Sequence, residues 1–460
     1  MASRRLPRST GQRVARALGA LMVATVALPA MPAVALGQQR QALDEARSQW
    51  EFSCAIRKDK FAYVLPDALR RNDVDMWIVL DRGRGSEPMV RDFGPDTSNG
   101  NGIFVFTDRG DRVETAALGG ETEMIEACGA YDVVGSSRDL AAFVRERDPQ
   151  RIALNFLDHE NVMEGLFLAD GLSHSDFGFL AAELGEPYAS RFVSARHVIA
   201  DFRGPRVATE IVEFSKVADL TRRYLERALS NEVITVGKTS QLDIAWWLEE
   251  QRQRLGVERG WFPTVYLHLP DGDEVAGSDR VVQPGDVMQI DWGIGRNNFY
   301  TDMKRFAYVL RDGETEVPPG IERAFEVSKA VGEIVRRNVT TDVVGQVQLD
   351  RLKQIIRDAG YVYTESERAS DVEGIEVNVG MHAAGNLGHD MTATMFQIYP
   401  FRSQYIVRAN SIISLEYIVF VPADEWGGAK IPVNVEENAL VTEHGIEWIV
   451  PPQQRVMVIR

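Results

Sequence analysis

The sequence predicts an α+β chain with a smaller N-terminal α/β domain and a larger C-terminal domain in which an α+β half is duplicated. Three observations predict this. Short β-rich runs alternate with a helical run up to about residue 200. Beyond residue 205 a pair of helical patterns is followed by strands, and that order then repeats. Acidic and imidazole side chains recur in or beside the apolar strands of this second part, where an unpartnered charge is costly.

The chain has 460 residues, enough for two or three domains, and 45% of them are hydrophobic, enough for sizeable cores. Its net charge of −16 argues against a nucleic-acid surface, which needs a basic stripe. Arg4, Arg5, Arg8, Arg13 and Arg16 precede an apolar run, residues 17–31, and Ala33-Val34-Ala35 follows it. This order of basic, apolar and small residues predicts a cleaved signal peptide over residues 1–35 and a periplasmic or secreted protein with no later membrane span. Cys54 and Cys128 either pair in an oxidising compartment or stay as separate buried thiols.

The N-terminal domain is assigned to residues 36–204. Residues 36–60 are polar and helical in tendency. Strand-like runs follow at Asp75–Asp81, Gly102–Thr107, Tyr131–Gly135 and Arg151–Phe156. Arg138–Arg147 reads as a helix with Ser137 as its cap, and Asp92–Gly102 as a loop. This alternation predicts a mixed sheet.

The C-terminal domain, residues 205–460, opens on a helix whose apolar face carries Ile211, Phe214, Val217, Leu220, Tyr224 and Leu225. A second helix spans about Gln241–Leu255, capped by Thr239 or Ser240 and ended by Gly256. Two more are expected near 320–337 and 343–358. Strands are expected near 286–293, 299–309, 375–382, 412–420, 431–436 and 439–442.

Asp286–Leu310 reads as a β-hairpin turning at Gly295-Arg296-Asn297-Asn298. A turn centred between Arg296 and Asn297 makes Asp291 and Asp302 cross-strand neighbours, about 5 Å apart. Carboxylates that close repel unless a cation or a shared proton lies between them. Gly380–Asp390 holds His382 and His389, with glycines that let backbone approach a site. Glu416 sits in the apolar strand Ser411–Phe420, and Glu436 and Glu437 lie in Val433–Thr442. Strand alternation expects one of that last pair to face solvent. Asp291, Asp302, His382, Glu416 and Glu436 are the donor types that adjacent divalent cations need.

In this set the chain resembles the pita-bread metallopeptidases: aminopeptidase P, prolidase, methionine aminopeptidase and the non-metal relative creatinase. The resemblance covers residues 208–460, and the preceding domain is of the creatinase/prolidase type. The motifs Ile290-Asp291-Trp292-Gly293 and Thr301-Asp302-Met303-Lys304-Arg305, then His382 with His389, Glu416 and Glu436-Glu437-Asn438 follow the family order. The resemblance implies two divalent ions, Mn, Co, Zn or Fe. Asp291 would chelate one, Asp302 and Glu436 would bridge both, and His382 and Glu416 would bind the other. A hydroxide bridging the ions would attack the scissile carbonyl, Glu416 would shuttle the proton, and His389 would hydrogen-bond the substrate. The activity implied is that of an Xaa-Pro aminopeptidase or Xaa-Pro dipeptidase acting on peptides, and relatives often form homodimers or homotetramers.

Three departures bear on substrate handling. Glu274 stands where the family often has a histidine, with His268 nearby but out of register; Tyr417-Ile418 replaces a Pro-Gly; and Asn434 replaces an arginine. Two alternatives compete with the peptidase: a catalytically inactive module of this fold that binds peptides or proteins, and a non-peptidase hydrolase on the same metal site.

Overall fold

The computed structural model describes residues 33–83, 87–94, 102–158, 166–269 and 274–460. The chain divides into two compact units, Met1–Ser48 and Gln49–Arg460. The helix Ala33–Tyr63 begins in the first unit, and everything that follows belongs to the second. The basic and apolar parts of the expected signal peptide, residues 1–32, lie outside the described residues.

The N-terminal sheet contains β1 (Met76–Asp81), β2 (Gly102–Asp108), β3 (Val113–Leu118), β4 (Val133–Gly135), β5 (Ile152–Leu154) and β6 (Phe192–Ser194). Its order is β4-β3-β2-β1-β5-β6. β1 pairs antiparallel with β2 and parallel with β5, so the sheet is mixed, as its alternating pattern predicts. Period-two alternation sorts β1 onto two cores. Trp77 and Val79 join Phe61, Phe93, Phe104, Phe106 and Phe202, while Met76, Ile78 and Leu80 join Leu140, Val144 and Leu180. The cap before the helix Leu140–Arg147 is Ser136 rather than Ser137. A 3-10 turn, Ser137–Asp139, precedes that helix, and the Ser136 hydroxyl accepts from the Arg138 N–H. Of the expected loop Asp92–Gly102, Asp92 and Phe93 close the helical turn Val90–Phe93, and residues 95–101 lie outside the described residues.

Cys54 on the first helix and Cys128 at the end of the helix Thr122–Cys128 form a disulfide, with their Cα atoms 5.4 Å apart. That settles the alternatives the sequence leaves open.

The C-terminal region contributes helices Ala208–Ala228, Gln241–Leu255, Pro319–Asn338 and Gly345–Asp358. The Ser240 hydroxyl accepts from the Asp243 N–H while the Asp243 carboxylate accepts from the Ser240 N–H. Gly256 ends the same helix at φ 66°. The strands are β7 (Glu258–Arg259), β8 (Thr264–His268), β9 (Glu274–Ala276), β10 (Val287–Trp292), β11 (Ile294–Arg296), β12 (Phe299–Tyr300) and β13 (Met303–Val309). They continue as β14 (Val343–Val344), β15 (Val362–Tyr363), β16 (Glu376–Ala383), β17 (Ile406–Val407), β18 (Ile412–Pro422), β19 (Lys430–Thr442), β20 (Gly445–Trp448) and β21 (Met457–Ile459).

Ten of these strands form one sheet along β15-β16-β18-β19-β13-β10-β8-β9, with β20 beside β19 and β21 beside β13. Phe214, Val217, Ala218 and Leu225 of the helix Ala208–Ala228 pack with Met288, Ile290, Trp292, Met303 and Ala307. Phe325, Val331 and Val335 of Pro319–Asn338 pack with Leu415, Tyr417, Val419 and Val433. The α+β class and the two helix pairs expected from the sequence are present. The helices leave one face of the central strands free to carry polar groups.

Candidate active site

Five adjacent strands place one residue each in a single cross-strand row. Gly380 of β16 faces Glu416 of β18, and Glu416 faces Glu436 of β19. Glu436 faces Lys304 of β13, and Lys304 faces Asp291 of β10. Neighbouring strands lie about 4.8 Å apart, so side chains in such a row meet above the sheet. Lys304 Nζ is 2.6 Å from Glu416 Oε1, 2.5 Å from Glu436 Oε2 and 3.3 Å from Asp291 Oδ2.

The expected pairing of Asp291 with Asp302 is corrected by this register, since Asp291 pairs with Lys304 and Trp292 with Met303. The turn is Asn297-Asn298, at φ 52° and 66°. Asparagine enters the left-handed region more easily than other side-chain-bearing residues, and a two-residue hairpin turn of this hand needs positive φ at both positions. The turn centre therefore lies one residue beyond the position expected. Asp302, two residues before Lys304, still projects to the same side. Its N–H donates to Asn438 Oδ1 at 3.2 Å, and the Ser414 hydroxyl donates to its carbonyl at 3.1 Å.

His382 ends β16. Its Nε2 lies 3.1 Å from Glu436 Oε1 and 3.6 Å from Asp302 Oδ2. His389 stacks on it with ring centroids 4.1 Å apart, places Nε2 3.3 Å from Asp302 Oδ2, and meets the Tyr399 hydroxyl through Nδ1 at 3.2 Å. The loop bearing His389 is held from behind by buried Asp390, which pairs with Arg206 at 2.9 Å and Arg203 at 3.3 Å. Thus Asp291, Asp302, His382, His389, Glu416 and Glu436 are all brought to one place.

Burial and the neighbouring Glu436 and Asp291 carboxylates push the Asp302 pKa well above the ordinary range. Burial likewise raises Asp291 to about 6, against the pull of Lys304. Burial also opposes the charge on Lys304, but Asp291, Glu416, Glu436 and Asp302 outweigh it and raise its pKa. For Glu436 burial is outweighed by Lys304 and His382, and the pKa falls. Burial and the facing His382 lower His389 to about 3, so its imidazole is neutral at pH 7.

The donor chemistry fits a divalent cation. Asp291 Oδ1 and Asp302 Oδ1 are buried with no hydrogen-bond partner among the described residues. Three groups each bring their donor atoms within 4.8 Å of one another: Asp302, His382 and His389; His382, Glu416 and Glu436; and Asp291, Asp302 and Glu436. Carboxylate and imidazole donors suit first-row divalent metals. The third group converges where Lys304 already stands.

Lys304, Ser414, Asn438 and Tyr399 escape the sequence reading. For Lys304 the signal was present: residues two apart on a strand share a face, so a lysine two after Asp302 points into the cluster. Glu437 is not solvated as expected. It points to the opposite face but is buried there, 3.0 Å from Arg305. His268 and Glu274 are cross-strand partners on β8 and β9, and His268 Nε2 bonds Gln289 rather than the cluster. The Asn434 N–H donates to Gln289 Oε1 at 2.6 Å.

A sequence model for metallopeptidase family M24 matches residues 213–443, half of the chain. The chain belongs to metallopeptidase family M24. That stretch contains every residue of the row and both histidines. The M24 assignment makes it a metallopeptidase of a metal-dependent family, as the resemblance implies. No curated protein sequence matches. Among solved structures, the X-Pro aminopeptidase from Thermotoga maritima MSB8 is 17% identical over 85% of this chain and 99% of its own, with a TM-score of 0.59. The Xaa-Pro dipeptidase from Bacillus anthracis is 15% identical over 88% and 99%, with a TM-score of 0.56. The prolidase from Pyrococcus horikoshii OT3 is 15% identical over 87% and 99%, also with a TM-score of 0.56. These likenesses, each over 85% or more of this chain, show a shared fold.

Proposed function

We propose that this M24 metallopeptidase hydrolyses the bond before proline, as an Xaa-Pro aminopeptidase or Xaa-Pro dipeptidase. The observation that carries this reading is the convergence of Asp291, Asp302, His382, Glu416 and Glu436, with buried acceptor oxygens left unpartnered. The fold shared with proteins described as X-Pro aminopeptidase, Xaa-Pro dipeptidase and prolidase supports the substrate class.

Asp302, His382 and Glu436 would hold a divalent ion, with Asp291 and Glu416 beside it. Such an ion acidifies water and polarises a carbonyl when bound. Glu416, partly open to solvent beside the buried Glu436, is placed to accept a proton and return it to the leaving amine. His389, neutral and half-exposed at the mouth of the cluster, hydrogen-bonds the substrate carbonyl oxygen. Tyr399, against His389 Nδ1, fixes its orientation.

The reading also covers the chain's organisation. Residues 1–35 are a signal peptide, residues 36–204 an N-terminal domain, and residues 205–460 the catalytic domain of a periplasmic or secreted enzyme. Among the described residues no helix is long and apolar enough to cross a membrane.

Chelator-dialysed protein is assayed for proline release from Xaa-Pro dipeptides and for N-terminal residue release from Xaa-Pro-Yaa peptides, with Mn, Co or Zn returned. Cleavage that is lost on chelation and regained with metal is expected. Undiminished cleavage in chelator, or none with any metal, overturns the proposal. Metal binding without cleavage points to the non-peptidase hydrolase, and neither metal binding nor cleavage to the inactive module.

A further inference from the structure

The residue that the family reading does not use is Lys304. It does not sit at the rim of the cluster. It rises from β13, an interior strand flanked by β10 and β19, and its backbone position is the middle of the row between Asp291 and Glu436. Its ammonium contacts three carboxylates, Glu436 at 2.5 Å, Glu416 at 2.6 Å and Asp291 at 3.3 Å, and its side chain is only 8% exposed. Those three carboxylates are ligands that a two-ion centre would have to use.

We propose that the Lys304 ammonium stands in place of one of the two cations, so that this centre takes a single divalent ion, held by Asp302, His382 and Glu436. The inference rests on the metallopeptidase reading above and refines it.

Geometry favours one ion. Carboxylate–metal bonds are about 2.0–2.2 Å long, so an ion on the Glu416, Glu436 and Asp291 oxygens that Lys304 contacts would lie against the ammonium. The two oxygens of Glu436 are already divided. Oε2 faces Lys304, while Oε1 lies 3.1 Å from His382 Nε2. On that second side Asp302 Oδ2 is 3.6 Å from His382 Nε2 and 3.3 Å from His389 Nε2, and Asp302 Oδ1 has no hydrogen-bond partner. The ion's place is therefore beside His382, and the ammonium's is beside Asp291 and Glu416.

The test is the number of Mn ions bound per chain, read by native mass spectrometry on chelator-stripped full-length protein titrated with Mn alone. Electron paramagnetic resonance reports whether bound Mn is magnetically isolated or coupled to a second ion. Wild type is expected to bind one Mn with an isolated signal. Lys304→Ala, which removes the charge and opens its space, is expected to bind two with a coupled signal. Lys304→Arg, which keeps a cation there, is expected to bind one. Two ions in the wild type overturn this inference and leave the metallopeptidase reading standing. One ion in a folded Lys304→Ala overturns Lys304 as the cause. No Mn in either protein overturns this inference, and the metallopeptidase reading is then decided by the Co and Zn arms of the cleavage assay. Should Lys304→Ala fail to fold, the wild-type count still decides.

Discussion

Lys304 Nζ lies 3.3 Å from Asp291 Oδ2, and the two residues are direct cross-strand partners on β13 and β10. The same ammonium reaches Glu416 and Glu436, so one lysine offsets the mutual repulsion of three carboxylates before any metal arrives. Removing one partner from a buried ionic cluster leaves the others uncompensated, which typically costs about 3–5 kcal/mol. Metal-free Lys304→Ala should therefore unfold at clearly lower denaturant than the metal-free wild type. Added Mn should recover more stability in the variant than in the wild type. Denaturant midpoints measured in chelator and in Mn check this, and equal midpoints in chelator would contradict it.

Asp302 shows the opposite balance. It is buried, its pKa is raised by burial, Glu436 and Asp291, and its Oδ1 has no partner. Neutralising it as Asp302→Asn relieves repulsion in the metal-free protein while removing a metal donor. The variant should gain about 1–3 kcal/mol of metal-free stability. It should lose the rise in melting temperature that metal gives the wild type. Paired thermal melts with and without Mn are the measurement. A variant less stable than wild type in chelator would show that Asp302 is favourably paired without metal.

His389 separates binding of metal from handling of substrate. It meets Tyr399 and Asp302 but is half-exposed, whereas His382 beside it is buried. His389→Ala should keep its bound metal and lower kcat about 10²–10³-fold, the range for losing one donor to developing charge. Its KM should move less. Metal content is read alongside the kinetics. If the ion is lost with His389, that residue is a ligand rather than a substrate contact.

How far the sequence reached depends on what each feature required. The apolar runs that became β1, β10, β16 and β18 announce themselves by composition, and the cap at Ser240 with Gly256 bounds its helix because those residues do local work. The six chemistry-bearing side chains were legible because acidic and imidazole groups in apolar strands demand partners. Which residue faces which was not. That depended on one turn, where Asn297 and Asn298 both take positive φ and move the register from Asp291·Asp302 to Asp291·Lys304. The partners of Glu437 and Asp390 were equally hidden, because Arg305, Arg203 and Arg206 reach them by packing between elements remote in the chain or across strands.

The Cys54–Cys128 bond closes a separation of 74 residues, tying the first helix to the helix Thr122–Cys128. A crosslink of that span removes chain entropy from the unfolded state, worth about 4 kcal/mol in the loop-closure model. Cys54→Ser with Cys128→Ser should lower the melting temperature without altering the metal count, since the bond belongs to the N-terminal sheet region. Titration of the unfolded wild type should find no free thiol before reduction. Two free thiols would place the chain in its reduced form.

Glu87 supplies a pH dependence away from the metal cluster. Its Oε1 accepts from the Met89 N–H and from Asn155 Nδ2, each at 2.9 Å, while Oε2 is buried without a partner among the described residues. Burial dominates those hydrogen bonds and pushes its pKa up to about 8, from an ordinary 4.5. Between these values the folded chain holds a proton that the unfolded chain has released. The associated stability is fully present below pH about 4.5 and is lost as pH rises through about 8, reaching about 5 kcal/mol of loss at the upper end. Glu87→Gln keeps the shape and cannot ionise. Its denaturant stability should match the wild type near pH 4.5 and exceed it progressively up to pH 8, with a flatter slope throughout. Parallel slopes for the two proteins over that range would mean that Glu87 is already ionised inside the fold and that burial does not raise its pKa.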